Sequence, residues 1–308
     1  MHDATIAIIT YKRPQWLGRL LKALSKQILD KKYFVDILVV DNASDEETRR
    51  IVALQDELSP FKIRYEIEET RGIVAARNKC VELFLHSKSK NLIFIDDDEW
   101  PKHDNWIQIM LDKKKQYSAD IVTSHVISVG ECGVPDWASQ LMYGENRNKE
   151  GEPVRVFYTN NLLLSRAVLE EMLPAFDSRF LMTGSSDYHL AIRCYKRGFR
   201  AVYIDAPVEE EFPATRATVK WFVRRGFRSG IGFTRSHLFE DSFVLAFLKI
   251  IAMSAFRFFR GVIYIAIGFL TFSKLKIVDG IFRICSGVGT LAGCFGIKYD
   301  EYSRVHGK

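Results

Sequence analysis

Cysteine is scarce in this chain, and its spacing offers no pairing. The 308 residues include five cysteines, an odd number, and no Cys-x-x-Cys pair. This pattern argues against a disulfide framework and a zinc site, and it indicates reduced thiols in a cytoplasmic setting. No apolar leader precedes the first predicted strand at Thr5, so we expect no signal peptide. With 47% hydrophobic and 27% charged residues, the composition argues against disorder and predicts a sizeable core.

Long uncharged apolar runs are also missing. The longest are Gly261–Ser273 and Ile284–Ile297, with 13 and 14 residues, whereas a spanning helix needs roughly 20. The segment Phe243–Phe272 is nearly all apolar except for three basic residues that share one face of a helical wheel: Lys249, Arg257 and Arg260. One basic stripe on an apolar helix predicts an interfacial or re-entrant helix. A helix buried against the rest of the protein is the alternative.

Acidic residues are few in the last third of the chain. From Arg216 to Lys308, fifteen Lys/Arg face five Asp/Glu, a balance of +10, whereas residues 1–215 carry −4 of the total of +6. Because the basic segment is rich in Phe, Ile, Leu and Val, we expect it to bind a membrane surface and no nucleic acid. We therefore predict a catalytic domain over 1–215 and a membrane-association region over 216–308, at the anionic cytoplasmic face of the inner membrane, peripheral or monotopic.

Strands and helices alternate along the first domain. Strands are predicted over Thr5–Thr10, Val35–Val40, Ile63–Ile67, Leu92–Ile95, Asp120–Ser128, Val154–Phe157, Asn161–Leu164 and Arg200–Ile204. Helices are predicted over Gln15–Gln27, around Ile51–Leu58, and over Ile73–Leu85, Asn105–Gln116, Ala167–Leu173 and Asp187–Arg197. This order predicts a three-layer α/β/α sandwich around a mostly parallel sheet. Gly130–Glu152 reads as a long loop of the kind that forms lids or binding loops.

Four acids, Asp96, Asp97, Asp98 and Glu99, follow the predicted buried strand Leu92–Ile95. Ligands bind at the carboxyl ends of central strands in open α/β sheets. Alternation along a strand predicts that Asp96 and Asp98 point one way and Asp97 the other. Two carboxylates at this spacing suit Mg²⁺ or Mn²⁺, with the phosphates of a nucleotide completing the shell. A solvated acidic turn is the alternative.

Three further groups have chemistry that fits such a site. Asp41 ends the second strand, where it can accept hydrogen bonds from a ribose or a base, or belong to a helix-entry turn. Arg71 and Arg77 lie near Gly72, which opens a helix. A glycine at a helix start with two arginines nearby can contact a diphosphate. Asp187 begins a helix after Gly184, where an aspartate is most often an N-cap.

In this order, the motifs resemble the inverting family 2 glycosyltransferases of GT-A fold, of the bacterial polysaccharide and lipopolysaccharide type. The resemblance covers Thr5–Ile231. It rests on five segments: Ile8–Pro14, Val39–Asp45, Ala75–Asn78, Phe94–Glu99 (similar to the Asp-x-Asp motif) and Gly184–Leu190. One residue departs from the pattern, because Ser186 stands where the family usually has Glu.

The resemblance implies a role for each of these residues. Asp187 is implied as the general base, and Asp96 and Asp98 as ligands of the divalent metal. The implied donor-binding residues are Thr10, Tyr11, Arg13, Asp41, Arg71, Arg77, Asp96 and Asp97. The implied diphosphate or acceptor contacts are Glu210, Arg216 and Trp221. An acidic surface turn at Glu210, and a basic helix on headgroups after Arg216, are the alternatives.

We therefore predict a glycosyltransferase that depends on Mn²⁺ or Mg²⁺. It is expected to move a sugar from a nucleotide-diphosphate sugar, with inversion, to a hydroxyl of a glycan acceptor, which we expect to be lipid-linked. Cell-surface polysaccharide synthesis is the implied process. A nucleotidyltransferase with a similar sheet, or a non-catalytic membrane scaffold that retains the fold, are the alternatives.

Overall fold

The computed structural model describes residues 2–144, 146 and 148–297. Residues 298–308 of the predicted membrane-association region lie outside the described residues. The strands are β1 (Ala4–Thr10), β2 (Val35–Asp41), β3 (Ile63–Ile67), β4 (Asn91–Ile95), β5 (Glu99–Pro101), β6 (Ile121–Thr123), β7 (Val126–Gly130), β8 (Asn161–Ser165), β9 (Ala201–Tyr203) and β10 (Val208–Phe212). The helices are α1 (Pro14–Leu24), α2 (Glu46–Leu58), α3 (Ile73–His86), α4 (Trp106–Gln116), α5 (Asp136–Tyr143), α6 (Arg166–Glu171), α7 (Ser186–Lys196), α8 (Val219–Glu240), α9 (Phe243–Leu270) and α10 (Lys274–Cys294).

The predicted mostly parallel sheet is confirmed. Seven strands pair in the order β3-β2-β1-β4-β8-β6-β9, and β8 alone runs antiparallel to its two neighbours. Strands β1 and β4, which lead to the Thr10 loop and the acidic turn, are parallel neighbours in the centre. Their carboxyl ends therefore meet at the same edge, which brings two motifs far apart in sequence together.

Two apolar cores make the fold a three-layer sandwich. Helices α1 and α4 cover one face of the sheet, through leucines such as Leu17 and the buried Trp106. Helices α3, α6 and α7 cover the other face, through residues such as Phe84 and Leu190. Because both faces are covered, the central strands are continuously apolar rather than alternating.

Several local predictions were wrong. The strand predicted over Asp120–Ser128 is split into β6 and β7, which belong to different sheets. Val154–Phe157 is not a strand; Val154 makes a single backbone hydrogen bond to Ala201. The predicted loop Gly130–Glu152 contains α5, and β9 is followed by the unpredicted β10, which joins β5 and β7 in a three-stranded sheet. The structure of short segments of this kind depends on their packing against the rest of the fold more than on their own sequence pattern.

The last three helices pack on one another through glycine. A Cβ on Gly230 of α8 or on Gly289 of α10 would collide with backbone of the facing helix, at Ser286 and Phe227 respectively. A Cβ on Gly261 of α9 would lie 2.7 Å from the carbonyl oxygen of Gly280. Small residues let helix backbones approach closely, as in membrane helix pairs. The glycines therefore fix a close α8–α10–α9 arrangement.

The structure bears on two expectations for this region. Helices α9 and α10 have 28 and 21 residues and are long and apolar enough to cross a membrane, by length and composition. The longest uncharged runs are shorter than these helices because a few charged residues interrupt both of them. Arg257 and Arg260 also face an internal cavity, and Lys249 pairs with Asp241 at 2.9 Å. The basic face of α9 therefore contacts the protein, whereas the interfacial or re-entrant placement of the helix stays a prediction.

Candidate active site

One large cavity lies between the carboxyl edge of the main sheet and the last three helices. Its volume is about 1590 Å³. Among the predicted site residues it is lined by Thr10, Tyr11, Arg13, Arg71, Arg77, Asp96, Asp97, Asp98, Asp187, Glu210, Arg216 and Trp221. These residues come from seven parts of the chain, and the fold collects them because parallel strands end at a common edge.

The three aspartates lie on a turn, since β4 ends at Ile95. Thr10 donates its hydroxyl to Asp97 at 2.8 Å. Arg13 Nη1 donates to Asp97 at 3.0 Å and to Asp98 at 2.9 Å. The predicted alternation, with Asp97 on the opposite side, is therefore wrong: strand geometry has already ended, and all three carboxylates line one cavity.

The acidic turn is desolvated and short of cations. Desolvation raises the pKa of Asp96 to about 7, while Arg77 lowers it and Asp98 raises it further. Burial likewise raises the pKa of Asp97 to about 6, against the opposing effect of Arg13. Glu99 is buried, accepts the Asp96 backbone N–H at 3.0 Å through one oxygen, and leaves the other oxygen without a partner. Such a cluster favours an additional cation.

The carboxylates fit a divalent metal only in part. The described residues hold no group of three or more His, Cys, Asp or Glu arranged to bind a metal. Asp96 and Asp98 offer two hard oxygen donors on one turn, next to the orphaned oxygen of Glu99. Mg²⁺-type sites often use one or two carboxylates and take their other ligands from substrate phosphates and water. The residues fit such a shared site.

Asp41 is the one predicted donor contact that lies away from the cavity lining. It is fully buried, and its carboxylate accepts the backbone N–H groups of Ala43 and Asp45, each at 2.8 Å, and the Tyr65 hydroxyl at 2.7 Å. The helix-entry alternative describes these contacts. Its neighbour Asn42 lines the cavity instead.

Asn42 was missed in the sequence, although it follows directly after the strand end. Its side chain accepts the Gly72 N–H at 2.8 Å and donates to the carbonyls of Glu68 and Thr70. Gly72 has φ +137 and packs against Leu181, so a side chain there is excluded. These contacts fix the loop that carries Arg71, whose guanidinium lies 5.4 Å from the centre of the Tyr11 ring.

Arg77 connects the acidic turn with the start of α7. It is buried and donates to the Ser186 hydroxyl at 3.2 Å, and its charge lowers the pKa of Asp96. Ser186 is fully buried. The residue that departs from the family pattern is therefore a neutral partner of a buried arginine.

Asp187 is the second residue of α7 and faces the cavity. Ser185, at the N-cap position, has φ +69 and turns the chain sharply into the helix. One Asp187 oxygen accepts the Tyr188 N–H at 2.8 Å, which fixes the carboxylate at the helix N-terminus. The side chain thus lies at the positive end of the helix dipole.

Glu210 is a buried residue of β10 rather than part of a surface turn. Burial raises its pKa to about 8, and the charge of Asp98 adds to this increase. Arg216 donates to one of its oxygens at 3.3 Å, and the Tyr143 hydroxyl donates to the other. Tyr143 ends α5, so the helix missed in the sequence covers this side of the cavity.

The cavity wall opposite the acidic turn is cationic. Trp221 of α8 lies 5.0 Å from the Arg225 guanidinium, measured to the ring centre. Sequence reasoning named Arg216 and Trp221 here but missed the other basic residues. They are Arg224, Arg225, Arg228, Arg257, Arg260, Lys276 and Arg283. The excess of basic residues after Arg216 and the helical-wheel stripe with Arg257 and Arg260 were their signals in the sequence, but neither was assigned to the site.

Comparison with known proteins gives one family. The sequence model described as "Glycosyl transferase family 2" matches residues 5–173. The chain is similar to the succinoglycan biosynthesis protein ExoM of Rhizobium meliloti (strain 1021), with 29% identity over 233 residues, covering 73% of this chain and 72% of that protein.

Solved structures share the fold at low identity. The mannosyltransferase PcManGT from Pyrobaculum calidifontis, in complex with GDP-Man and Mn²⁺, matches with a TM-score of 0.61 and 16% identity, covering 94% of this chain and 87% of that chain. TarS of S. aureus, residues 1–349 with UDP, matches with a TM-score of 0.56 and 15% identity, covering 99% and 93%.

Proposed function

The chain belongs to glycosyl transferase family 2, and we propose that it moves a sugar from a nucleoside-diphosphate sugar to a hydroxyl of a lipid-linked glycan acceptor, with inversion. It is a glycosyltransferase of the bacterial polysaccharide type with the GT-A fold. The observation that carries the proposal is that the acidic turn Asp96–Asp98 and Asp187 line one cavity, which also holds arginines.

We assign donor binding to the acidic edge of the cavity. Asp96 and Asp98 would hold Mn²⁺ or Mg²⁺ together with the diphosphate, and solved neighbours of the fold contain Mn²⁺. A bound divalent cation there neutralises the charge that develops on the leaving diphosphate. Tyr11, Arg71 and Asn42 line the part of the cavity next to the β1 and β2 ends, where we expect the nucleoside.

We assign proton removal to Asp187. In a single displacement the acceptor hydroxyl attacks the anomeric carbon while the diphosphate leaves from the opposite face. The O–H bond breaks as the new glycosidic bond forms, and its proton goes to the Asp187 carboxylate. Such general-base assistance is typically worth about 10²–10⁴-fold in rate. One displacement inverts the anomeric configuration.

We retain 1–215 as the catalytic domain and 216–308 as the membrane-association region, at the cytoplasmic face. Support comes from the two long apolar helices α9 and α10 and from the similarity to a polysaccharide biosynthesis protein. The cavity crosses this boundary, because α8–α10 supply one wall. The nucleotidyltransferase and scaffold alternatives gain no support from the family match.

Asp98→Asn tests the donor site. We expect loss of the Mn²⁺-dependent part of UDP or GDP affinity, because the amide removes a charged ligand, while the fold is retained at this turn. Isothermal titration with each nucleotide, with and without MnCl₂, measures it. Asp104→Asn, an exposed acid nearby, is the matched control. Equal Mn²⁺-dependent affinity in Asp98→Asn and the wild type would remove Asp98 from the site.

A further inference from the structure

The charges around the cavity are unevenly distributed. The catalytic domain contributes five acids, on the turn Asp96–Asp98, at Asp187 and at Glu210, and three arginines, Arg13, Arg71 and Arg77. The three C-terminal helices contribute seven cations and one acid, Asp279, among the described residues that line the cavity. We call these seven side chains the cationic wall: Arg224, Arg225, Arg228, Arg257, Arg260, Lys276 and Arg283.

The contacts of Arg257, Arg260 and Arg283 hold their guanidinium groups in place, and of these three only Arg283 pairs with an acid. Arg257 donates to the Thr290 hydroxyl at 2.8 Å. Arg260 lies over the Tyr264 ring, 5.4 Å from its centre. Arg283 pairs with Asp279 at 2.9 Å. Neutral hydroxyls and ring faces hold a guanidinium in place but leave its charge available to a ligand.

The donor alone does not balance this charge. The lining contains eleven cationic and six acidic side chains. The two ionised phosphate groups of a nucleoside-diphosphate sugar and the two positive charges of a divalent metal cancel, so the donor complex leaves the surplus of cations unchanged. Like charges confined in a cavity repel one another, which favours binding of a second anion. Guanidinium groups are suited to phosphate because they donate paired hydrogen bonds.

The surroundings of the wall indicate where that anion comes from. Arg257 and Arg260 are on α9, whose exposed face carries Phe256 and Phe259, at 56% and 66% exposure. In the most apolar 18-residue stretch of this helix, only 17% is buried within the protein. An anion bound at the wall therefore lies beside an apolar surface that a lipid chain can cover. Because the cations converge on one cavity that also holds the acidic turn, a single bound group fits better than a layer of bulk headgroups.

We propose that the cationic wall binds the phosphate or diphosphate group that joins the acceptor glycan to its lipid. This rests on the proposed function and deepens it, since it gives the acceptor a charged anchor separate from the donor diphosphate. The anchor holds the acceptor on the side of the cavity that α8, α9 and α10 supply, and Asp187 lines the same cavity. In this arrangement the divalent metal would neutralise the diphosphate of the donor, and the cationic wall would neutralise the phosphate or diphosphate of the acceptor lipid.

Binding of farnesyl diphosphate to the full-length protein in phosphatidylcholine nanodiscs tests the proposal, without donor or metal. We expect Arg260→Gln combined with Lys276→Gln to weaken binding by about ten-fold or more. Each substitution removes a charged hydrogen-bond donor to the phosphate, and the loss of one such bond can already weaken binding about ten-fold. Lys220→Gln combined with Lys274→Gln removes two exposed cations from α8 and α10 outside the cavity lining and should change affinity less than two-fold, about the reproducibility of such titrations. Arg260→Lys combined with Lys276→Arg keeps the charge and should restore binding.

Two competitors distinguish the sources of phosphate. Inorganic pyrophosphate should bind more weakly than farnesyl diphosphate, and added phosphatidylglycerol should not displace the probe. Equal affinity for pyrophosphate, displacement by phosphatidylglycerol, or equal weakening in the Gln pair and the control pair would each overturn the proposal. Nucleotide-sugar binding by the wild type is measured separately. Its absence would refute the donor assignment while leaving the result at the cationic wall unchanged.

Discussion

At the scale of single residues, Arg77 is the link between the acidic turn and α7. Its guanidinium contacts the Ser186 hydroxyl and stabilises the charged form of Asp96. A glutamate at position 186 would add a buried charge beside Arg77, whereas serine leaves more of the arginine's charge to the acidic turn. The serine is therefore compatible with a working site at Asp187.

Asp187→Asn should keep nucleotide-sugar affinity and lower the rate of transfer by about 10²–10⁴-fold. The amide preserves the shape of the side chain and its position at the helix N-terminus but cannot accept the proton. Titration of the donor and an assay of sugar transfer to a glycan acceptor measure the two quantities separately. Asp205→Asn, an exposed acid, serves as the control. Transfer at the wild-type rate in Asp187→Asn would exclude it as the base.

At the scale of elements, glycine contacts hold the cationic wall in place. Gly230 lies against α10, where an added Cβ would collide with the Ser286 carbonyl and come 2.5 Å from the Thr290 backbone nitrogen. These atoms are backbone and cannot rotate away. The position of α10, and with it Lys276 and Arg283, depends on this close approach.

Gly230→Ala should destabilise the protein by roughly 1–3 kcal/mol through overpacking, in spite of the better helix propensity of alanine. Thermal unfolding of the full chain in detergent measures the change. Lys220→Ala, at an exposed position of the same helix, controls for helix propensity. An unchanged melting temperature in Gly230→Ala would show that the helices have room to separate.

The junction between α7, α8 and α9 is held by a buried carboxylate. Asp241 is 1% exposed and pairs with Lys196 at 2.8 Å, Lys249 at 2.9 Å and His237 at 2.6 Å. Burial alone raises the pKa of Asp241, but the hydrogen bonds from these three groups outweigh it and hold the pKa well below its usual range. The folded protein therefore binds fewer protons here than the unfolded chain in acid.

This linkage gives the junction a pH dependence of known sign. The stabilisation by Asp241 is complete above the unfolded pKa of about 3.9 and is lost as the pH falls below that value. Asp241→Asn should thus cost about 1–3 kcal/mol at neutral pH, and the difference from wild type should shrink towards pH 3. Urea unfolding at both pH values measures this. A difference that stays constant with pH would contradict the ionised pairing.

At the scale of the whole molecule, the last two helices expose much of their apolar surface. Phe243, Leu270 and Phe272 are exposed at 76%, 81% and 96%. Helix α9 has 28 residues and is about 42 Å long at 1.5 Å per residue. Soluble monomers rarely expose contiguous apolar surface of this extent.

We expect the full-length protein to sediment with membranes and to be released by detergent but not by high salt. Apolar burial resists salt, whereas attraction to headgroups is screened by it. The measurement is ultracentrifugation of a cell lysate followed by extraction in 1 M NaCl, about the concentration at which the Debye length falls to 3 Å, or in nonionic detergent. Release by salt alone would mean that basic residues, rather than α9 and α10, hold the protein at the membrane.

Sequence alone was sufficient for a mostly parallel sheet and for the acidic turn, whereas the order of the strands came from the structure. Apolar runs locate β1, β2 and β4 because these strands are buried on both faces, and the local pattern is then decisive. The Asp96–Asp98 turn and Asp187 were also found from sequence, since strand ends and helix starts have local signals. The resemblance to a family supplied the roles of these residues, and those roles are still predictions.

Tertiary structure alone decided which surface each side chain faces. A helical wheel groups Arg257 with Arg260, but only the packing of α9 on α10 turns that face toward the cavity. Asp41 faces its own helix-entry turn, and Glu210 becomes buried when β10 pairs with β5 and β7. The hydrophobic periodicity of a segment determines which of its residues share a face. Contacts between residues far apart in the chain determine which element covers that face.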